Sequence, residues 1–182
     1  MYRELRDNKT GETTPFKTTL NCDRYAGGMR FKFDCENSKK FSAYSEDNEP
    51  IYRGDVVELF ICTGGNRNEY YEIEVAPNGT VFFAAIDYDN GAFSAKMLDK
   101  AFEADVTDYK NGYSVEIRIP DEAIGVKENV EVVFNAYRIE TEGGTPEKNL
   151  LAMNPTMCGC FHRPEYFIPF VDMLAVESRK KI

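Results

Sequence analysis

Hydrophobic and polar residues alternate with a period of two in the middle of the chain, a pattern that is typical of β-strands. Residues 56–61 read VVELFI and residues 70–75 read YYEIEV, with Gly64-Gly65 between them. Pro77-Asn78-Gly79 then forms a turn sequence, because proline fixes φ and Asn-Gly tolerates positive φ. A third apolar run covers residues 81–86. The pattern predicts three antiparallel strands joined by short turns.

Alternation also assigns the side chains of these strands to two faces. One set is predicted to face the core: Val57, Leu59, Ile61, Tyr71, Ile73 and Val75. The other face then carries Glu58, Tyr70, Glu72 and Glu74. Carboxylates placed side by side across strands repel one another unless cations or a hydrogen-bonding ligand offset the repulsion. Two interpretations stay open, a solvated outer face or a polar floor that hydrogen-bonds hydroxyl groups.

Similar patterns continue along most of the chain. Further strands are predicted at 16–22, 29–35, 130–140 and 167–174, and two more flank the turn at Asn111-Gly112. About nine to eleven short antiparallel strands with almost no helix indicate an all-β protein, folded as a β-sandwich. The predicted core includes Val57, Leu59, Tyr71, Ile73, Val115, Ile117 and Tyr137.

The segments between the strands differ in what they predict. Residues 1–15 are predicted to form a frayed strand followed by a loop, and residues 175–182 a tail. The long polar stretch at 36–54 is predicted as a loop, and loops of that length are more often functional than idle. The sequence DYDNGAF at 87–93 is predicted as a turn, and Pro120-Asp121-Glu122 as the start of one short helical turn that ends near Gly125.

Length and charge limit the possible partners. A chain of 182 residues is long enough for one domain with a full core, so residues 1–182 are predicted to form a single domain. Acidic residues outnumber basic ones by 31 to 22, which gives a formal net charge of −9. This charge repels nucleic acid and anionic lipid, so neither is expected as a partner. A neutral or cationic ligand remains open.

The cysteines predict a reducing compartment. Five is an odd number, and their spacing matches neither a disulfide framework nor a zinc site, so the thiols are predicted to be free. The sequence shows no secretory signal and no apolar run of transmembrane length. A cytoplasmic protein is therefore expected, or a secreted one if the chain is a fragment of a longer protein.

Five segments in a fixed order carry a family resemblance. The order GDVVELF, YYEIEVAPNGTVF, GYSVEIRIP, FNAYRIE and FHRPEYF resembles the family 9 carbohydrate-binding modules and covers roughly residues 16–172. The resemblance implies a jelly-roll-like β-sandwich that binds a saccharide, such as the end of a glycan chain, without catalysis.

The resemblance also implies roles for individual residues. In these modules two tryptophans clamp a sugar, and Tyr52 stands where one of them lies, three residues before Asp55. The family's ligand-bonding glutamate falls on Glu58, and Arg138 in FNAYRIE is expected to bond sugar hydroxyls. Glu72 and Glu74 would complete the floor. The chain contains no tryptophan, so only weak binding is expected.

A structural calcium ion is a further implication of the resemblance, since the family commonly carries such sites on its loops. Asp87, Asp89 and Asn90 form a DxDN sequence with oxygen ligands at short spacing. A polar, solvent-exposed turn is the alternative interpretation.

Two other classes of function compete with sugar binding. The chain lacks the GxSxG motif, and His162 has no obvious serine or cysteine partner, so we expect a histidine that ties an irregular loop to the sheet. An interaction or structural domain that has lost the sugar clamp is the alternative to a binding module; an aromatic residue across a cleft from Tyr52 would discriminate between them. A hydrolase would require two carboxyl groups about 5 to 10 Å apart across an open groove.

Overall fold

Two antiparallel β-sheets form the protein in the computed structural model, which describes residues 2–36, 39–89 and 91–170. The strands are β1 (Tyr2–Glu4), β2 (Arg6–Asp7), β3 (Thr18–Tyr25), β4 (Gly28–Glu36), β5 (Val56–Cys62), β6 (Glu69–Val75), β7 (Val81–Asp89), β8 (Ala92–Met97), β9 (Glu103–Tyr109), β10 (Gly112–Pro120), β11 (Val133–Glu140), β12 (Asn149–Ala152) and β13 (Ile168–Pro169). Three short 3₁₀ helices cover Ile51–Arg53, Asp121–Ile124 and Pro164–Tyr166. The predicted all-β sandwich is confirmed.

The strand order places consecutive hairpins side by side. One sheet runs β1-β3-β4-β10-β9, and the other runs β2-β12-β11-β5-β6-β7-β8, with β13 paired to β11. The described residues form thirteen strands rather than nine to eleven, and two of these, β2 and β13, have only two residues each. The long pairs β5–β6 and β6–β7 are the hairpins that the alternating central pattern predicts.

The core between the sheets contains most of the residues that the alternation assigns to it. Val57, Leu59 and Ile73 are fully buried, and they belong to one cluster with Val115 and Ile117 of the other sheet. Tyr71 is only partly buried and packs against that cluster. Burial of each large aliphatic side chain stabilises the fold by about 1.5–3 kcal/mol relative to exposure.

A second hydrophobic layer covers the opposite, outer face of the larger sheet. Phe60 and Tyr70 belong to it, together with Tyr137, Phe161 and Phe167. All seven residues of β5 are consequently buried. Tyr137 is fully buried, as predicted, but in this second layer and not between the two sheets. Because β11 is buried on both faces, its sequence has no polarity contrast that identifies the inner one.

Arg138 occupies the inner face instead, on the opposite side of the sheet from Glu58, with which it was expected to bond a sugar. Arg138 pairs in register with Val57, whereas Tyr137 pairs with Glu58. The Arg138 guanidinium is fully buried, donates to Thr18 Oγ1 at 2.7 Å and forms an ion pair with Glu140. An arginine is tolerated between the sheets because a carboxylate, a hydroxyl and the Glu36 carbonyl accept from its two terminal nitrogens, although Nε has no hydrogen-bond partner.

Other segments differ from expectation in smaller ways. Residues in the predicted frayed segment pair as β1 and β2, and Leu5 between them is fully buried. Strand β8 begins inside the segment predicted as a turn. The predicted helical turn is confirmed, since a 3₁₀ helix ends at Ile124 and Gly125 has a left-handed conformation with φ of 57°. Most of the closing strand predicted at 167–174 lies outside the described residues, which show only β13.

The structure also describes the state of the cysteines and the character of the helices. All five cysteines lie in the described part of the chain and carry free thiols. Among the described residues, no helix has both the length and the apolar character needed to cross a bilayer.

Candidate functional site

A cleft of about 660 Å³ opens on the outer face of the larger sheet. Side chains of β5, β6 and β7 contribute its floor, and one side is formed by Tyr52 in the first 3₁₀ helix with Lys148 just before β12. Another side is formed by β8 and the segment 159–162. The volume falls in the range of about 300–1,000 Å³ that is common for small-molecule sites.

The loop that carries Tyr52 is anchored at several points, so the position of Tyr52 is defined. Asp55 accepts hydrogen bonds from the Phe41 amide at 2.9 Å and from the Thr141 amide at 2.8 Å. Asn48 Oδ1 accepts from the Phe83 amide at 3.0 Å. At Gly54, any β-carbon would lie 2.8 Å from the Phe41 carbonyl oxygen, so only glycine lets the two backbone segments approach this closely.

Three glutamates form the polar part of the floor, and we call them the carboxylate triad: Glu58, Glu72 and Glu74. Glu58 on β5 pairs directly with Glu74 on β6, and Glu72 lies two residues earlier on the same face. One carboxylate oxygen of each lies within 4.8 Å of those of the other two. All three are at most 6% exposed, although all three line the cleft. The three side chains are therefore not a solvated outer face, and the interpretation that they bond hydroxyl groups stays a prediction.

Burial changes the acidity of the triad. Desolvation raises the pKa of Glu72 to about 7. It raises the pKa of Glu58 and Glu74 well above the ordinary value, and repulsion within the triad adds to the effect. Glu74 Oε2 is buried and has no hydrogen-bond partner. The triad therefore lacks enough counter-charge to hold three ionised carboxylates in this environment.

Lys148 is the cation that interacts electrostatically with the triad, and sequence reasoning missed it. Its charge interacts favourably with Glu58 and Glu74, while partial burial lowers its pKa. Lys148 Nζ donates to the Tyr52 carbonyl oxygen at 2.7 Å and lies 5.2 Å from the centroid of the Tyr52 ring. The residue lies in a loop sequence, TPEKN, that contains no local signal for a site.

Aromatic side chains contribute much of the rest of the cleft. Tyr52 is 43% exposed and Phe93 is 49% exposed, and both line the cleft together with Phe60, Phe82, Phe161 and His162. The rings of Phe93 and His162 stack at a centroid distance of 3.9 Å. The cleft therefore has aromatic residues on the side of β8 and 159–162 as well as at Tyr52.

His162 holds the segment 159–162 against the sheet. Its Nδ1 lies 2.7 Å from the Tyr70 hydroxyl oxygen, and its ring lies 5.0 Å from that of Phe60. Burial lowers the pKa of His162 to about 4, so the imidazole is neutral at physiological pH. The prediction of a histidine that ties an irregular loop to the sheet is confirmed.

The structure brings together four of the five residues predicted to bind ligand. Tyr52 and the carboxylate triad line one cleft, whereas Arg138 lies between the sheets and does not line it. Phe93 lies in a segment that was predicted as a turn, so sequence reasoning missed it. The Asn-Gly sequence just before it is a hairpin signal, which predicts a following strand.

The possible metal ligands fall into two groups. Asp87 and Asp89 are exposed on β7 at the β7–β8 hairpin, and Asn90 lies outside the described residues. A calcium ion held there stays a prediction. Over the part of the chain that the structure describes, the carboxylate triad is the one cluster of three or more acidic, histidine or cysteine ligands close enough to share an ion.

Comparisons with known proteins agree with this architecture. The sequence pattern of the family described as "carbohydrate family 9 binding domain-like" matches residues 34–167. No curated protein matches the sequence.

Solved structures extend the similarity to nearly the whole chain. A candidate carbohydrate-binding protein from Bacteroides uniformis ATCC 8492 is 12% identical with a TM-score of 0.75, covering 92% of this chain and 84% of that one. A family 9 carbohydrate-binding module from Caldicellulosiruptor kristjanssonii in complex with glucose is 17% identical with a TM-score of 0.58, covering 92% and 82%. The same source provides a module in complex with cellotriose, 18% identical with a TM-score of 0.60, covering 92% and 79%. At these identities the likeness concerns the fold.

Proposed function

Because the chain belongs to the carbohydrate family 9 binding domain-like family, we propose that it is a non-catalytic domain that binds a saccharide in the cleft above the carboxylate triad. The observation that carries this proposal is the combination, in one cleft, of exposed aromatic rings and buried hydrogen-bonding groups. Sugars present apolar C–H patches and directional hydroxyl groups on one molecule, and this combination suits both.

Each part of the cleft has a distinct task in the proposal. The exposed ring of Tyr52 packs on the apolar face of a sugar ring. The carboxylate triad accepts hydrogen bonds from hydroxyl groups, and a protonated member of the triad can also donate one. Lys148 Nζ, which already donates to the Tyr52 carbonyl, has further donor capacity for a sugar oxygen.

The arrangement of the carboxylates supports binding rather than hydrolysis. A glycosidase places two carboxyl groups on either side of the bond that it cleaves. In this protein the three groups lie side by side on neighbouring strands of one floor, within 4.8 Å of one another. The aromatic residues along the cleft also favour sugar binding over an interaction domain that has lost the sugar clamp.

Binding is expected to be weak, with a Kd of roughly 1 mM, because tyrosine and phenylalanine replace the larger indoles of the family. The related modules from Caldicellulosiruptor kristjanssonii hold glucose and cellotriose, so glucose and cello-oligosaccharides are the first ligands to test. Xylose and xylobiose provide the comparison with sugars that lack the hydroxymethyl group.

The test is an NMR titration of the wild-type chain and of Tyr52→Ala and Glu58→Gln. Loss of a buried stacking contact costs about 1–3 kcal/mol, so Tyr52→Ala is expected to weaken binding roughly 5- to 150-fold. Tyr109→Ala is the matched control, because Tyr109 is also 43% exposed but lies on the other sheet. Binding that neither cleft substitution changes would place the site elsewhere, and the absence of binding to every saccharide would refute the proposal.

A further inference from the structure

Acidic side chains outnumber basic ones in the cleft. Three carboxyl groups are almost fully buried on its floor, and Lys148 is the only lysine or arginine among the described residues that line the cleft. Buried charges are normally paired, because an unpaired one loses its hydration without compensation. If all three carboxyl groups were ionised, the floor would therefore carry more negative charge than Lys148 can neutralise.

One atom of the triad independently indicates a missing partner. Glu74 is 2% exposed, lines the cleft, and its Oε2 has no hydrogen-bond partner. Native proteins leave few buried polar atoms unsatisfied, and a ligand is one of the reasons for such an atom. A hydroxyl group can satisfy Glu74 Oε2 as a donor, but only a cation also supplies the counter-charge that ionised carboxylates need in this cleft.

Lys148 demonstrates which kind of cation this environment accepts. Its ammonium lies 5.2 Å from the centroid of the Tyr52 ring, within the usual cation–π distance of about 6 Å, and interacts favourably with Glu58 and Glu74. The same two features, an aromatic ring and a nearby carboxyl group, recur on the floor, where Phe60 pairs in register with Glu72 and Phe82 with Glu74. A second ammonium group would meet the same chemistry.

We propose that the saccharide bound in this cleft carries a protonated amine, which lies on the carboxylate triad while the sugar ring contacts the aromatic residues. This proposal rests on the proposed sugar-binding function and specifies its ligand class: amino sugars with a free ammonium group, rather than neutral or N-acetylated sugars. Acetylation removes the charge and two of the three N–H donors, so an N-acetylated sugar would leave the triad without a counter-charge.

The proposal also predicts a coupling between binding and protonation. At pH 6.5 a carboxyl group with a pKa of about 7, as in Glu72, is mostly protonated. An ammonium beside the triad favours the ionised carboxylates, so binding should release a proton to solvent. The charged and titratable groups that act on the triad or on its lysine are Lys148, Arg53, Tyr70 and Tyr137. Of these, the two tyrosines have raised pKa values and the arginine stays charged, so none of the three titrates near pH 6.5.

Isothermal titration calorimetry at pH 6.5 tests the proposal with glucosamine, glucose and N-acetylglucosamine, each in two buffers of different ionisation enthalpy. An amine beside electron-withdrawing oxygens resembles an α-amino group, which titrates near 8, so the glucosamine amine is charged at this pH. Glucosamine is expected to bind about 10- to 150-fold more tightly than the other two sugars, the range for a charge-assisted hydrogen bond. It should release up to about one proton per molecule bound, and glucose none.

Two variants separate the triad from the rest of the cleft. The readout is the ratio of the affinities for glucosamine and glucose in the same variant, because Glu74 also belongs to the floor that bonds sugar hydroxyls. Glu74→Gln is expected to lower both this ratio and the proton release, and Glu128→Gln, at an exposed loop position, should change neither. Lys148→Gln removes the competing internal ammonium and should increase the preference for glucosamine.

The possible failures are distinguishable. Equal affinity for glucose and glucosamine, both lost in Tyr52→Ala, would overturn the ligand class and leave the sugar-binding function intact. No binding of any sugar would overturn both. Calcium chloride alone is titrated as a further arm, and a calcium affinity that Glu74→Gln abolishes would show a metal site and overturn the proposal of an ammonium.

Discussion

Substitution of Glu72 by glutamine should make the protein more stable at neutral and alkaline pH. In the folded chain the pKa of Glu72 is raised from 4.5 to about 7, chiefly by burial. Between these two pH values the native state holds a proton that the unfolded state has released, so the free energy of unfolding falls as the pH rises. The shift of about 2.5 units corresponds to about 3 kcal/mol lost by pH 7.5. Glutamine has a similar shape and no charge, so the variant avoids that loss.

The measurement is urea denaturation of the wild type and of Glu72→Gln at several pH values from 4 to 8. The two proteins should have similar stability near pH 4, where the carboxyl group is neutral in both states, and the variant should be more stable by about 3 kcal/mol at pH 8. For a chain of this size that is roughly 6–12 °C in Tm. His162 contributes in the opposite direction, because its depressed pKa of about 4 makes stability fall as the pH falls from 6.5 towards 4. This contribution is common to both proteins, so the difference between the two stability curves is the informative quantity.

An exposed glutamate provides the control for this experiment. Glu128→Gln makes the same chemical change at an exposed position and should shift the stability by less than about 0.5 kcal/mol at every pH. If Glu72→Gln is instead no more stable than the wild type at pH 8, the carboxyl group is not held in its neutral form by burial. The account of the triad as a floor short of positive charge would then be wrong.

Two further predictions concern the interior. Arg138→Met should destabilise the fold by about 3–5 kcal/mol in chemical denaturation, because the buried Glu140 carboxylate would lose its ion pair with the guanidinium. The double variant with Glu140→Gln should recover a large part of the loss, and equal stability of the single and double variants would contradict this. Alkylation without reductant should modify all five cysteines in the denatured chain. In the native chain Cys158 should react faster than Cys35. The reason is that a hydrogen bond with Thr156 is the main cause that lowers the pKa of Cys158, whereas burial raises the pKa of Cys35 to about 11. A protected cysteine in the denatured, unreduced chain would show a disulfide.

Local alternation predicted the fold well where one face of a strand differs from the other. The pattern around Glu58 and Glu72 placed both carboxylates opposite the core because apolar residues flank them at every second position. The same reasoning failed in β11, where Tyr137 and Arg138 exchange the expected faces. Burial on both sides of that strand removes the contrast on which the inference depends.

The candidate site was predictable only in part, because a cleft joins residues that are distant in sequence. The family resemblance identified Tyr52 and Glu58. Lys148, which contacts Tyr52 from a loop 96 residues further along the chain, has no local signature, because its effect depends on a neighbour that only the folded chain supplies. Phe93 was missed because a short strand at a sheet edge, exposed on both faces, lacks the alternation of a half-buried strand.

That edge strand makes the cleft adjustable. β8 lies at the end of the larger sheet, all six of its residues are exposed, and Phe93, Ala95 and Met97 project from it into one side of the cleft. Substitutions at such positions usually change stability by less than about 0.5 kcal/mol. A combinatorial library at these three positions would therefore redesign one wall of the cleft while β5 and β6, and the triad on them, stay in place. Selection from such a library offers a route to new ligand specificities on an unchanged scaffold.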